Sequence, residues 1–308
     1  MSKTSNQFIL MKIKHLTHCK IDIQKWDNTI LNACNSMVYS ESWYLDIVSP
    51  NWEALVLGDY EYVMPLPVKR KCGIPFLVQP PLTQQLGVFS IHKIEENIIE
   101  HFIANIPYRS YHLNLNEKNP FEKGTQQPNL LLNLNENYQN LFSNYSTNTK
   151  RNVKKAQESE KKIRKNLSAG EFLEFYQDVE KNYPTEPERK VNTLIVEALE
   201  KGKITLYGAS NKNNELISGL CLLHSPQRLI YLLPVSNKEG KESLAMFKIV
   251  DEIIKNYANQ NFLLDFAGSS IENISRFYQG FGAEKYFYPM KKRWSINDLI
   301  KKLVLFAK

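Results

Sequence analysis

The chain has 308 residues, of which 43% are hydrophobic and 23% are charged. This composition excludes a disordered protein, which would combine low hydrophobicity with high net charge, and the length allows two domains or one large one. The net charge of +7 and the pI of about 9.0 favour anionic partners such as nucleic acid, phosphorylated small molecules or anionic lipid, although a lysine-rich proteome gives the same balance.

The cysteines and the apolar runs bear on the location of the protein. No two of the four cysteines have CxxC spacing, which is typical of reduced thiols in a cytosolic protein. His15, His18 and Cys19 form a small cluster without a second His/Cys pair, so we expect no metal site. Residues 1–14 contain no signal-peptide core, and no run of about 18 apolar residues occurs. We therefore expect a cytoplasmic protein.

Apolar periodicity and turn residues predict the elements of the first half. Gly58 and Asp59 form a tight turn between two β-rich runs, and Pro80 and Pro81 end a third. In chain order we predict a strand at 8–13, helices at 23–34 and 41–47, strands at 54–57, 60–69 and 75–79, a helix at 94–106, and strands at 108–115 and 130–134.

The second half begins with a predicted long helix at 136–162, with a buried stripe at its start and a basic, polar end. Gly202 and Gly282 are each expected to end a later helix. The other predicted elements are helices at 169–180 and 189–200, strands at 204–209, 216–224 and 229–235, a helix at 243–257, a strand at 262–266, a helix at 272–281, a strand at 285–288 and a terminal helix at 296–306.

The two halves repeat one pattern of elements. The segment IIEHFIANIPYRSYHLNL begins at Ile98, and IVDEIIKNYANQNFLLDF begins at Ile249. Their apolar positions match almost throughout, although few residues are identical. The pattern predicts two domains of like topology.

The segment from Leu264 to Tyr288 carries the best-defined local signal. Ser269 and Glu272 have the spacing of a helix capping box. Asp265 and Arg276 are the polar residues left over in an otherwise apolar pattern. A charged side chain in an apolar strand needs a partner, so a structural ion pair is one interpretation. The other is a substrate contact at the end of a strand.

A basic run covers the end of the predicted long helix. Lys150 and Lys154, like Arg151 and Lys155, are one turn apart and repel each other unless an anion lies between them. A solvated charged face is one interpretation of this run. A contact with phosphate or tRNA is the other.

The terminal helix is amphipathic. Lys291, Lys292, Arg293 and Trp294 precede an apolar stripe at helical spacing. The helix either docks on its own domain or lies on an anionic membrane surface, as basic amphipathic helices with an interfacial Trp do.

Three of these segments resemble FemAB-like proteins, which are tandem members of the GNAT (Gcn5-related N-acetyltransferase) superfamily. They are Gln79 to Gly87 (QPPLTQQLG), Thr149 to Ala156 (TKRNVKKA) and the strand–GS–helix–FGA segment that follows Leu264. The resemblance implies two GNAT-like domains and an acyltransferase activity. Well-known members of the family transfer amino acids from aminoacyl-tRNA to peptidoglycan precursors.

One segment departs from GNAT enzymes that use acyl-CoA. Those enzymes bind the pyrophosphate with R/Q-x-x-G-x-G/A at a helix start, because backbone N–H groups there bind phosphate. In the corresponding segment only Gly240 matches, and Glu239 and Glu242 would repel a phosphate. Lys238 and Lys241 would offset part of that repulsion, so these two lysines and Gly240 are the candidate cofactor-binding residues.

We therefore predict an α/β (α+β) protein with two GNAT-like domains, 1–136 and 137–308, each a mixed, mostly antiparallel sheet flanked by helices. The second domain would open with a basic inter-domain helix. The predicted activity is transfer of an acyl or aminoacyl group to an amine, with no permanently bound cofactor and no metal. The donor would be anionic, acyl-CoA or aminoacyl-tRNA, and the acceptor an amine such as a cell-envelope precursor.

The predicted site residues have separate roles. Asp265 is the candidate base or acceptor-orienting group, and Tyr278 and Tyr231 are its acid partners. The substrates would contact Arg276, Ser269, Lys150 and Arg151, and the three cations among them would hold anionic groups. The alternative function is a non-catalytic tandem-GNAT protein that binds nucleic acid or a membrane through its basic surfaces.

Overall fold

The computed structural model describes residues 11–158, 161–181, 188–268 and 271–294. Within these ranges the chain forms two compact units. Unit 1 comprises residues 11–127 and 287–294, and unit 2 comprises the described residues of 128–286. Two strands cross the boundaries between the units, namely the strand at 125–133 and the last described strand, at 284–293.

Unit 1 combines two groups of strands with three helices. Its strands are β1 (Lys14–Leu16), β2 (Glu53–Leu57), β3 (Tyr62–Leu66), β4 (Val68–Lys71), β5 (Ile74–Val78), β6 (Phe89–Ser90), β7 (Tyr111–Asn114) and the end of β14 (Glu284–Arg293). Its helices are α1 (Ile23–Asn32), α2 (Ser42–Val48) and α3 (Glu96–Ala104), with 3-10 turns at His18–Lys20 and Val38–Ser40.

The strands of unit 1 form an antiparallel set in the order β1-β2-β3-β6 and a mixed set in the order β4-β5-β7-β14. Strands β5 and β7 are parallel, with Leu77 opposite Tyr111 and Val78 opposite His112. Helix α3 lies between these two strands in sequence. Its buried apolar side chains include Ile98 and Phe102.

Unit 2 contains one antiparallel-rich sheet and seven described helices. Its strands are β8 (Thr125–Asn133), β9 (Lys162–Lys165), β10 (Ile204–Ser210), β11 (Leu216–Ser225), β12 (Arg228–Ser236) and β13 (Leu263–Asp265). Its helices are α4 (Tyr138–Ser143), α5 (Thr147–Gln157), α6 (Ala169–Glu180), α7 (Glu188–Glu200), α8 (Lys238–Glu242), α9 (Ala245–Tyr257) and α10 (Glu272–Gly280).

The sheet of unit 2 has the order β8-β13-β12-β11-β10-β9, and only β12 and β13 are parallel. Helix α9 lies between these two strands in sequence. Its Ile249, Val250, Ile253 and Ile254 are fully buried in the main apolar core, as helical spacing predicts. Each unit thus has a parallel strand pair connected through a helix, which confirms the repeat read from the sequence.

The predicted long helix at 136–162 is wrong, because the chain forms α4, α5 and β9 instead. After α4 ends, the Ser146 side chain accepts a hydrogen bond from the Thr149 backbone N–H and so caps α5. The predicted inter-domain helix therefore lies within unit 2, where Val153 and Ala156 are fully buried.

The predicted strand at 60–69 also divides. Strand β3 ends at Leu66, and β4 begins at Val68 in the other set of strands. Pro67 lies between them and cannot donate a ladder hydrogen bond, which gives the chain a place to change partners.

Gly202 and Gly282 have the left-handed backbone expected at helix ends, with φ of 63° and 88°. The predicted terminal helix at 296–306 lies outside the described residues. None of the helices within the described ranges combines the length and apolar character that a membrane span requires.

Candidate functional site

The candidate site of unit 2 begins where its two parallel strands part. Strands β12 and β13 pair only over Arg228 to Ile230 and Leu263 to Asp265. Beyond this point β13 ends, while β12 continues to Ser236. Ligands of α/β sheets bind outside the carboxyl ends of such strands, so a ligand site is expected at this end of the pair.

A β-bulge in β12 lies at the same point. Tyr231 is opposite Leu222 on β11, but the next matched pair is Leu233 with Cys221, so Leu232 is an extra residue. A bulge leaves its extra residue unpaired in the ladder and bends the strand, and bulges are common beside active sites. The bulge therefore gives this strand end an irregular backbone that a regular ladder would not have.

Asp265 ends β13 and is completely buried. One of its carboxylate oxygens lies 2.7 Å from Nη1 of Arg228, and the other accepts hydrogen bonds from the Asn129 side chain (3.0 Å) and the Ala267 backbone N–H (2.8 Å). Charged residues are almost never buried without partners, and here strands β8 and β12 supply them. The carboxylate is thus a structural acceptor that fixes the turn after β13.

That turn has an unusual backbone. Ala267 and Gly268 have positive φ angles of 54° and 69°. Alanine is uncommon in this region, so the hydrogen bond from its N–H to Asp265 helps to hold it there. Ser269, which we predicted to cap the next helix and to contact substrate, lies outside the described residues.

Three aromatic rings fill the space beside the parted strands. The ring centroids of Phe266 and Tyr278 lie 4.5 Å apart in a stacked pair, and Tyr231 lies 5.6 Å from Phe266 and 5.5 Å from Tyr278. Burial raises the pKa of both tyrosines above the ordinary phenol value, at which a phenol is already protonated at neutral pH. The structure brings together two of the predicted site residues and adds Phe266.

Arg276 lies apart from the buried ion pair, on the outer face of α10. Its guanidinium is 69% exposed and pairs with Glu272 one turn earlier. It borders a cavity of about 370 Å³ in unit 2, lined by Pro128, Leu130, Glu272, Ser275, Arg276, Gln279 and Lys285. The partner of Asp265 is therefore Arg228, and Arg276 faces a separate, open cavity.

Helix α5 presents the predicted basic residues at the surface. Lys150 Nζ donates to the Ser143 carbonyl at 2.7 Å, and Arg151 Nη2 donates to Asn148 Oδ1 at the same distance. Both contacts are local, so they orient the two cations on the outer face of the helix. Each of these cations has more N–H donors than its one neutral contact uses, so donors remain for an anion.

In the segment that corresponds to the phosphate loop, a side chain of the segment itself occupies a backbone N–H group. Asn237 Oδ1 accepts the Gly240 N–H at 2.9 Å and so caps the short helix α8. A Cβ at Gly240 would lie 2.1 Å from the Ile217 carbonyl oxygen, so this glycine is required for packing against β11. Lys238 and Lys241 are exposed, and Lys238 lies 3.9 Å from Glu242.

The sequence interpretation missed Arg228, Asn129 and Phe266. Arg228 follows directly on a turn and opens an apolar strand, which was a usable signal for a buried cation. No signal marked Asn129, because asparagine is ordinary in loops and strand ends. No group of His, Cys, Asp and Glu side chains within the described ranges is arranged to hold a metal ion.

Comparison with known proteins identifies the fold. No family model matches the chain, and no curated protein is similar to it in sequence. Among solved structures it is similar to FemX, with a TM-score of 0.67 and 11% identity over 96% of this chain and 100% of that one.

Two further structures are similar at lower scores. A domain assigned as the C-terminal domain of a lysylphosphatidylglycerol synthetase from Agrobacterium fabrum has a TM-score of 0.56 and 4% identity, covering 92% of this chain and 95% of that one. A conserved protein of unknown function from Bacteroides thetaiotaomicron has a TM-score of 0.51 and 9% identity, covering 92% and 100%. The FemAB-like, GNAT fold predicted from the sequence is confirmed.

Proposed function

We propose that this protein, which has the FemAB-like fold, transfers an acyl or aminoacyl group from an activated donor to an amine. The observation that carries the proposal is the parting of β12 and β13 at Ile230 and Asp265, with the Leu232 bulge beside it. The similarity to FemX and to the lysylphosphatidylglycerol synthetase domain supports this class of reaction.

In the proposed reaction a neutral amine attacks the donor carbonyl, and a C–N bond forms as the C–O or C–S bond of the donor breaks. A backbone N–H at the bulge would stabilise the developing oxyanion, and one such donor is worth about 10²–10³ in kcat. The leaving oxygen or sulfur takes a proton, and the amine releases one to a base or to water.

Tyr278 and Tyr231 each carry a phenolic proton that can pass to the leaving group, although burial raises the pKa of both phenols and so weakens them as acids. Asp265 has another role in this proposal. Its carboxylate is already engaged by Arg228, Asn129 and the backbone N–H of Ala267, so it positions the strand end. The proton of the amine then leaves through water.

We propose aminoacyl-tRNA as the donor in preference to acyl-CoA. The Asn237 side chain occupies the Gly240 N–H that a pyrophosphate would use. The cations of α5, which include the half-buried Lys150 and the exposed Arg151, offer a surface for a phosphate backbone instead. Lys238 and Lys241 remain candidates for a weaker contact with an anion.

The amine acceptor is proposed to carry an anionic group, as a cell-envelope precursor does. Arg276 and Lys285 border the cavity of unit 2 and would contact that group. Ser269 keeps its predicted contact with substrate within this proposal. A cytoplasmic location, with peripheral membrane contact through the terminal helix, belongs to the same proposal.

Mass spectrometry of amine acceptors incubated with purified protein tests this function. The reaction is run with charged tRNA and, separately, with acetyl-CoA and longer acyl-CoA donors. We expect transfer from the tRNA donor. Arg276→Gln should raise the acceptor KM with little change in kcat, whereas Lys255→Gln, an exposed change elsewhere on unit 2, should not. Absence of transfer from every donor would reject the proposal.

A second candidate function is a non-catalytic binder with the same fold. This function is favoured by the packing beside the parted strands. The rings of Phe266, Tyr231 and Tyr278 contact one another there and fill the space that a substrate would need. A binder would shift tRNA in a gel, or sediment with anionic vesicles, while giving no turnover. Replacing Lys150 and Arg151 with Gln should weaken tRNA binding and lower its salt dependence in either case.

A further inference from the structure

A second cavity lies in unit 1, and no residue that lines it has a role in the proposed reaction. It measures about 420 Å³, and its lining includes His18, Asn51, Glu53, Val68 and Arg70. These residues come from the 3-10 turn after β1, from β2 and the turn before it, and from β4. Separate segments of unit 1 therefore converge on one cleft, which we call the Glu53 cleft.

Glu53 is buried at this cleft, with its side chain 8% exposed. Its Oε2 atom lies 2.5 Å from Nε2 of His15 and accepts a hydrogen bond from the hydroxyl of Tyr108. Burial and the neighbouring Glu53 raise the pKa of Tyr108, so that phenol stays protonated and donates. Two donors thus hold one oxygen of the carboxylate in place.

The other oxygen, Oε1, lies 3.7 Å from Nη2 of Arg70, which is longer than a hydrogen bond. The guanidinium of Arg70 is 60% exposed and has five N–H donors. A fixed carboxylate oxygen and a cation therefore border the cleft side by side, and both retain unused hydrogen-bonding capacity.

The charged side chains next to Glu53 and Arg70 do not use up the remaining hydrogen-bonding capacity of these two residues. His18 Nε2 lies 2.9 Å from Oδ1 of Asp46, and the indole N–H of Trp52 donates to the same oxygen at 2.8 Å. Asp46 is thereby directed at His18 and Trp52. The groups left to recognise a ligand are Glu53 and Arg70.

The adjacent opposite charges select one class of ligand. A lone anion on Arg70 would be repelled by Glu53, and a lone amine on Glu53 would be repelled by Arg70. A molecule with both an ammonium and a carboxylate satisfies both residues at once. We propose that the Glu53 cleft binds a free α-amino acid, with its ammonium on Glu53 Oε1, its carboxylate on Arg70 and its side chain toward Val68.

Binding to the purified full chain tests this site directly, and its outcome is separate from that of the transfer assay. The probes are the free α-amino acids at 10 mM in thermal-shift assays, followed by calorimetry for those that raise Tm. For each binder, the N-acetyl and α-amide derivatives serve as controls. We expect at least one free amino acid to bind, and each blocked derivative to bind at least tenfold more weakly.

Two variants locate the site. Arg70→Gln should weaken binding at least tenfold, and Lys71→Gln, its exposed neighbour on β4, should leave Kd unchanged. Arg70 is exposed, so its substitution preserves folding. Failure of all free amino acids to bind would show that Glu53 and Arg70 are a structural pair. Equal binding by blocked derivatives, or by the Arg70→Gln variant, would also overturn the proposal.

Discussion

Tyr145 donates a hydrogen bond of 3.0 Å to Oδ1 of Asp251, although the two residues are 106 positions apart in sequence. Tyr138 donates to the same oxygen at 2.9 Å, and Gln157 Nε2 donates to Oδ2 at 3.1 Å. One buried carboxylate on α9 therefore holds side chains of α4, α5 and the loop between them. This polar cluster ties the basic helix to the core of unit 2.

Asp251→Ala should destabilise unit 2, because it leaves two phenols without their acceptor. We expect a loss of about 2–4 kcal/mol, as for buried donors left unsatisfied. Urea unfolding followed by circular dichroism measures this loss. A change below about 0.5 kcal/mol would show that water replaces the carboxylate without cost.

Asp251→Asn should change the pH dependence of stability. Burial raises the pKa of Asp251, and the hydrogen bonds that it accepts offset only part of this effect. Between the ordinary value near 4 and the raised one, the folded state holds more protons than the unfolded state, so the stability contributed by this group falls as pH rises. The variant should therefore gain stability relative to the parent as the pH rises above about 4. A difference that does not vary with pH contradicts this assignment.

Breaking the buried ion pair should cost more than removing it. Asp265→Ala leaves Arg228 buried without its counter-charge, and we expect a loss of about 3–5 kcal/mol. Asp265→Leu combined with Arg228→Met removes both charges and should recover most of that loss. Equilibrium unfolding of Asp265→Leu, of Arg228→Met and of their combination measures the coupling energy. Additive losses would show that the pair is not coupled.

Gly280→Ala should disturb the packing of α10 on α5. An added Cβ would lie 2.3 Å from Oγ1 of Thr149, and such overpacking costs about 1–3 kcal/mol. Thr149→Ala in the same chain removes that atom and should restore part of the stability. Gly170→Ala is the matched control, because a Cβ at Gly170 meets nothing within 4 Å and should stabilise α6 by up to about 1 kcal/mol.

The hydroxyl of Tyr278 can be tested separately from its ring. Tyr278→Phe keeps the stacking on Phe266, so we expect Tm to change by less than about 3 °C. If the phenol donates a proton in the proposed reaction, kcat should fall about 10²-fold or more. Tyr278→Leu should lower both Tm and activity. Unchanged kcat in the Phe variant would assign Tyr278 to packing alone.

The four cysteines should divide by reactivity. Cys19, Cys34 and Cys72 are exposed, whereas Cys221 is buried, and burial raises the pKa of its thiol to about 12. We expect a thiol reagent such as Ellman's reagent to modify three cysteines in the folded protein and all four in urea. Rapid modification of Cys221 in the folded state would show that β11 opens readily.

The sequence by itself determined the elements whose pattern is local. The apolar periodicity of α9 and its match in α3 predicted the repeat, and Gly202 and Gly282 marked helix ends, because each signal depends on neighbours in the chain. The need of Asp265 for a partner was also readable, since a charge in an apolar strand requires one.

Only the tertiary structure decided which residues meet. Arg228 and Asn129 contact Asp265 from other strands. The ring of Phe266 packs against the rings of Tyr231 and Tyr278. The return of β14 to unit 1, like the partner of Asp265, depends on strand order and register. Sheet pairing joins residues far apart in the chain, so no local pattern in the sequence encodes these contacts.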